Sequence, residues 1–170
     1  MGFSNYTARF KRFDAQLQLD PANPTAAKVT ATIDARSLET DYPDPAKVDF
    51  NAELQNEQWL DTAKFAEITF ISKTIELTGP NTARINGELS LHGITKPLTL
   101  EATFNGGYPG QPMDPNARIG FSAKSALKRA DYGVAYGIPA PGTTMGVGDN
   151  VDIIIEAEFS GPPLAAPAKQ

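Results

Sequence analysis

Apolar and polar residues alternate with a period of two along most of the chain, the pattern of strands with one buried and one solvated face. Near the C-terminus Val151, Ile153, Ile155, Ala157 and Phe159 fall on one side, and Asp152, Ile154, Glu156 and Glu158 on the other. The pattern recurs in Phe13, Ala15, Leu17 and Leu19, in Val29, Ala31, Ile33 and Ala35, and in Ala83, Ile85, Gly87, Leu89 and Leu91. Leu98, Leu100, Ala102 and Phe104 form a further set, and Ile119, Phe121, Ala123, Ser125 and Leu127 another, with a less regular run from Ile68 to Leu77. Together they predict about seven strands. Gly, Pro and Asn separate them, in Asp20-Pro21-Ala22-Asn23-Pro24, Gly79-Pro80-Asn81, His92 to Pro97 and the stretch from Gly106 to Asn116. Short turns between consecutive strands imply antiparallel pairing, and hence an all-β fold.

One segment breaks the period. Asp44-Pro45 reads as an N-cap followed by proline at the first helical position, with Val48 to Leu54 giving a modest apolar side, so one short helix is expected there. From Ser160 onward the chain is Gly-Pro-Pro-Leu-Ala-Ala-Pro-Ala-Lys-Gln, which has no face to bury. The expectation is therefore one domain over residues 1–160 and a disordered tail over 161–170.

The small residues on the apolar faces bear on function. Ala15, Ala31, Ala35, Ala83, Gly87, Ala102, Ala123 and Ala157 interrupt the bulky side chains. Either they leave an apolar cavity inside a closed sheet, or they interlock with Phe and Leu from facing strands. The run from Ala117 to Arg129 would span about 40 Å at ~3.3 Å per residue, which suits a deep barrel.

Composition narrows the chemistry. At 170 residues and 18.2 kDa, with 41% apolar and 21% charged residues, the chain is one globular domain, without the roughly 20 uninterrupted apolar residues of a transmembrane helix. A net charge of −5 argues against nucleic-acid binding. Cysteine is absent and His92 is the single histidine, which removes thiolate chemistry and every multi-histidine metal site. Met1 to Asn5 lack the succession of basic, apolar and small residues found in a signal peptide.

Candidate motifs mostly fail on geometry. Ser125-Ala126-Leu127-Lys128 fits S-x-x-K, but on an alternating strand residues three apart point to opposite faces. Gly146-Val147-Gly148-Asp149 is a glycine turn before a strand, and Asn5-Tyr6-Thr7 a bare sequon. Glu39, Asp41, Asp44 and Asp49 lack the spacing of a calcium loop and read as capping and solvated charge. His92, between a strand and a glycine, reads as a turn residue bonded to backbone. No cofactor or metal is expected.

Several strings, taken together, resemble the YceI family. They are Gly2 to Phe10, then Trp59-Leu60-Asp61 before Phe65 and Ile68-Thr69-Phe70, then Leu91-His92-Gly93-Ile94-Thr95-Lys96-Pro97-Leu98, then Leu127-Lys128-Arg129-Ala130-Asp131-Tyr132-Gly133, and finally Val147 to Val151. The resemblance implies a lipocalin-like antiparallel β-barrel that holds a polyisoprenoid or other long-chain lipid, such as a quinone tail or prenyl chain, in the bacterial periplasm. Members generally carry one more strand before the Gly-Phe-Ser-Asn segment, and about seven strands fall short of an eight-stranded closure. The expected remedy is either the N-terminal segment folding back or a homodimer formed through the open edge.

The expected apolar lining is Phe10, Phe13, Leu17, Val29, Ile33, Leu89, Phe121, Leu127, Val151 and Phe159, with Arg129, Asp131 and Tyr132 orienting a head group at the mouth. The alternatives are a lipid-modifying enzyme using His92 as base and a packed barrel that binds another protein.

Overall fold

The computed structural model describes residues 5–164. Its main body is one seven-stranded antiparallel sheet that runs in chain order, with one α-helix and three short 3-10 turns among the described residues outside it. The strands are β2 (Phe13–Gln18), β3 (Lys28–Asp34), β5 (Glu67–Leu77), β6 (Thr82–Leu91), β7 (Ile94–Tyr108), β8 (Ala117–Lys128) and β9 (Asn150–Gly161). The two-residue strands β1 (Arg9–Phe10) and β4 (Leu38–Glu39) pair separately. The sheet curls into a nearly closed barrel.

Antiparallel order alternates strand direction, so β2 and β9, first and last of seven, run the same way. They share no pairing, and the barrel stays open along that seam. Among the described residues the N-terminal segment does not fill it, because Arg9 and Phe10 pair with Glu39 and Leu38 instead. Residues 1–4 and 165–170 lie outside the described residues, and with the latter most of the expected tail. Leu164, the last described residue, is tied by its amide to the Pro109 carbonyl at 2.9 Å.

Local sequence explains the main departures from expectation. The turn expected over His92 to Pro97 shrinks to His92-Gly93, whose φ angles of 52° and 75° are those a two-residue hairpin demands. Thr95, Lys96 and Pro97 therefore belong to β7, opposite Ser90, Leu89 and Glu88. Counting from the turn, position 97 is a non-hydrogen-bonded pair with Glu88, so proline's missing N–H faces β8. That side is unpaired, because the β7–β8 ladder begins only at Glu101 opposite Lys124.

The irregular run from Ile68 to Leu77 owes its broken period to a bulge between Ser72 and Thr74. The helix α1 covers Phe50–Gln55 and starts at Asp49, whose carboxylate accepts the Ala52 amide at 2.9 Å. Asp44 forms only a turn, its carbonyl accepting the Lys47 and Val48 amides, so the helix begins five residues later than the Asp-Pro signal suggests.

The core gathers at one end. Ala35, Ile68, Phe70, Leu89, Leu98, Leu100, Ala102, Ala123 and Tyr132 form a contiguous buried cluster. It is capped by a short 3-10 turn over Arg129–Tyr132, whose Tyr132 carbonyl lies 3.0 Å from His92 Nδ1. Here the interlocking reading of the small residues holds. A Cβ built on Gly87 would lie 2.5 Å from the Phe70 ring, so the ring occupies the space the glycine leaves. At the N-terminal end of β2 the Arg12 and Arg36 guanidinium groups converge on Asp34 and hold its carboxyl far below the usual carboxylate range, pinning the edge strand to its neighbour.

Candidate functional site: the apolar barrel interior

Antiparallel pairing sends alternate ends of the strands to opposite ends of the barrel. The buried cluster marks a closed end, formed by the start of β5, the end of β6, the start of β7 and the end of β8. At the other end the inward positions are apolar but uncovered. Leu77, paired with Ala83, is 55% exposed, and Phe104, next in the series after buried Leu98, Leu100 and Ala102, is 39% exposed. Phe104, Phe121 and Phe159 make a belt of three rings, with centroids 5.7 Å apart for the first pair and 6.3 Å for the second.

The expected lining residues fall into three places. Ile33, Leu89 and Leu127 form or border the floor, and Phe10 packs against the same cluster from β1. Leu17, Val29, Phe121 and Phe159 lie toward the open end, with Leu17 opposite Val29 across β2 and β3. Phe13 and Val151 stand at the two sides of the open seam, and Phe13 is 64% exposed, so it borders the seam instead of lining a closed wall. Phe104, Leu77 and Ile85 belong with the lining and were not singled out. The alternating set Leu98 to Phe104 carried that signal, whereas the bulge hid it for Leu77.

The three expected head-group residues lie at the closed end, not at the mouth. Leu127 and Phe121 are six positions apart on β8, about 20 Å at ~3.3 Å per residue, so Arg129 to Tyr132 sit a barrel length from the aromatic belt. Tyr132 is in the core, where burial raises its phenol pKa above the usual value. Arg129 is buried as well, and four of its N–H···O contacts go to backbone carbonyls. Nε reaches Gly148 at 2.9 Å, and the two terminal nitrogens reach Val134, Tyr136 and Val147 at 2.8 Å each. Its guanidinium also lies 5.1 Å from the centre of the Trp59 ring. Burial lowers its pKa, with Asp149 opposing.

Arg129 is thus a structural clamp whose donors are largely committed, and sequence gave no sign of it because its partners are carbonyls. Asp131 is exposed and 3.7 Å from Lys96. Both border an open cleft of about 350 Å³ where β7 and β8 part, spanned by the Ser125 hydroxyl donating to the Thr99 carbonyl at 2.7 Å. The polar groups at the open end are different ones. Asp114 accepts from Tyr108 at 2.8 Å and from Arg118 at 2.6 Å, and Arg118 also reaches Glu158 at 2.7 Å.

His92 is held by packing at the closed end. Its Nδ1–H donates to the Tyr132 carbonyl, its ring packs 4.5 Å from Phe65, and Nε2 is buried without a hydrogen-bond partner. Among the described residues no cluster of His, Asp and Glu is arranged to hold a metal ion.

A one-domain antiparallel barrel, floored at one end and apolar and open at the other, is the architecture of a small-molecule binding fold. The chain belongs to the YceI-like domain family, whose profile matches residues 1–159. It is 35% identical over 146 residues to a UPF0312 protein of Pseudomonas syringae pv. syringae strain B728a, covering 85% of this chain and 69% of the relative. A UPF0312 protein of Pseudomonas putida strain W619 is 35% identical over 158 residues, covering 92% and 75%. The crystal structure of the Campylobacter jejuni YCEI protein superposes with a TM-score of 0.79 at 26% identity, covering 95% of this chain and 88% of that one.

Loss of the clamp should be costly. Arg129→Ala leaves up to four carbonyls without a donor and is expected to destabilise the fold by about 3 kcal/mol, measured by urea unfolding. Arg129→Lys should recover little, because one ammonium cannot span carbonyls on two sides of a loop.

Proposed function

We propose that this protein is a non-enzymatic carrier that takes up a long apolar chain, of the polyisoprenoid kind found in quinone tails and prenyl lipids, inside its barrel and works in the bacterial periplasm. The observation that carries this reading is the uncovered inner face at the open end, where the Phe104, Phe121 and Phe159 rings form an apolar belt and Phe104 and Leu77 stay exposed. Family membership supports it, as does the separation of the aromatic belt from a well-packed floor. A chain entering at the belt would run inward toward Leu89 and Leu127. Each Å² of apolar surface it removes from water is worth ~25 cal/mol, so a tail of several isoprene units is held well even after ordering costs. Specificity for the tail then follows from length and shape, and the head group stays near the rim that holds Tyr108, Asp114 and Arg118.

Phe121→Asp places a carboxylate in the middle of the belt. Uptake of a fluorescent prenyl-chain probe should fall more than about tenfold, the equivalent of 1.4 kcal/mol, while circular dichroism and melting stay close to the parent. Unchanged uptake by a folded variant would overturn the assignment of the interior as the binding site.

The open seam supports a second proposal, self-association of two chains edge to edge. Pairing through β9 would set Asp152, Glu156 and Glu158 against their own copies, whereas β2 carries outward only Asp14, Gln16 and Gln18. A dimer therefore forms through β2. Light scattering should give twice the chain mass, and Ala15→Pro, which removes an edge donor, should return it to one. A strict monomer would end this proposal and leave the carrier reading untouched.

A further inference from the structure

The wall of the barrel parts between β7 and β8 near the closed end. Their ladder stops at Glu101 opposite Lys124, although its register, continued, would set Thr99 opposite Ala126 and Pro97 opposite Lys128. Pro97 has no N–H to offer β8, and the Thr99 carbonyl, which a strand partner would use, accepts the Ser125 hydroxyl at 2.7 Å instead. The split is therefore written into the two strands, and it leaves the open cleft of about 350 Å³. Ligand pockets run from about 300 to 1,000 Å³, so the cleft suits a small molecule and is too small for a long prenyl chain.

The cleft reaches the core. Leu98 and Tyr132 line it and are buried, and Leu127, also in its lining, packs against the same cluster. Tyr132 is only 2% exposed, yet its hydroxyl makes no hydrogen bond among the described residues and is not sealed from solvent as His92 Nε2 is. Burial raises its pKa, so at neutral pH the phenol keeps its proton and is a donor. Buried tyrosine hydroxyls ordinarily have a partner, and one without, opening on a cleft, marks a place for an acceptor from outside. Charge sets the kind of acceptor. Lys128 makes no ion pair among the described residues, and Lys96 reaches Asp131 only at 3.7 Å. These two lysines and one aspartate, all in the lining, leave a single positive charge in a chain whose net charge is −5.

We infer that this cleft binds a small amphiphilic monoanion, a medium-chain carboxylate. Its carboxylate accepts from the Tyr132 hydroxyl and is held by the surplus charge of Lys128, while its short apolar chain lies on Leu98 and Leu127. One surplus charge matches a carboxylate better than a phosphate dianion. The site is distinct from the barrel interior. Leu127 and Phe121 are about 20 Å apart along β8 at ~3.3 Å per residue, so the cleft and the aromatic belt are separate, and the inference does not rest on the carrier reading.

The test is titration of the full chain with octanoate, followed by the amide signals in NMR, with 1-octanol and inorganic phosphate as controls. Octanoate should shift the amides of Leu98, Leu127, Lys128 and Tyr132 to saturation, and neither control should. Tyr132→Phe removes a hydroxyl that has no protein partner to lose, so melting should stay close to the parent while octanoate affinity falls about tenfold. Lys128→Gln, an exposed change, should weaken binding about threefold, and Asp131→Asn should tighten it by releasing Lys96. The inference is overturned if octanol binds as well as octanoate, if phosphate produces the same shifts, or if folded Tyr132→Phe and Lys128→Gln bind like the parent. It is also overturned if the shifts fall on Phe104, Phe121 and Phe159 instead. That result would place octanoate in the barrel, so failure of the cleft is distinguishable from failure of the carrier function.

Discussion

The parity of the sheet governs this molecule. In an antiparallel meander each strand reverses its neighbour, so a seventh strand ends parallel to the first, and the two edges can meet only by a parallel pairing that the structure does not make. The barrel curls far enough to face its apolar sides toward one another yet leaves a seam between β2 and β9. The core settles where side chains from β5, β6, β7 and β8 can reach across, at the end capped by Tyr132, and the remaining inner surface is left apolar and uncovered. Backbone pairing thus accounts for both the packed floor and the exposed apolar upper half.

How far this could be read from sequence varied with the range of the interaction. Period-two alternation depends on neighbouring residues alone, and it marked each strand of the main sheet, including the odd total that leaves the seam. Short-range rules erred where tertiary pairing decided the outcome. Pro97 looks like a turn residue until the late start of the β7–β8 ladder gives its missing donor a harmless direction. Asp44-Pro45 has the look of a helix start, but the chain waits for Asp49. The site was legible in composition and not in position. Inward-facing apolar positions were identifiable by their alternation, whereas the polar residues of the Leu-Lys-Arg-Ala-Asp-Tyr-Gly segment sit at the floor, because strand length and direction carry the end of β8 to the closed end.

Arg129 shows how a single residue links these levels. In sequence it is a cation beside an aspartate, the usual sign of a surface or ligand-facing group. In the fold it is buried, and its donors hold the two sides of an uncharged loop over Trp59. The same clamp joins both ends of that loop to the closed end of the barrel. Since its donors are largely committed to carbonyls, the proposed binding of an apolar chain rests on the barrel wall and not on Arg129.

The most direct test of the account is native mass spectrometry of the protein purified from a bacterial host, followed by organic extraction of what it carries. The account predicts added mass that is released by solvent and identified as a prenyl or quinone-type chain, and that is lost in Phe121→Asp. A protein that arrives empty, and stays empty when long-chain quinones and prenyl lipids are supplied, would contradict it.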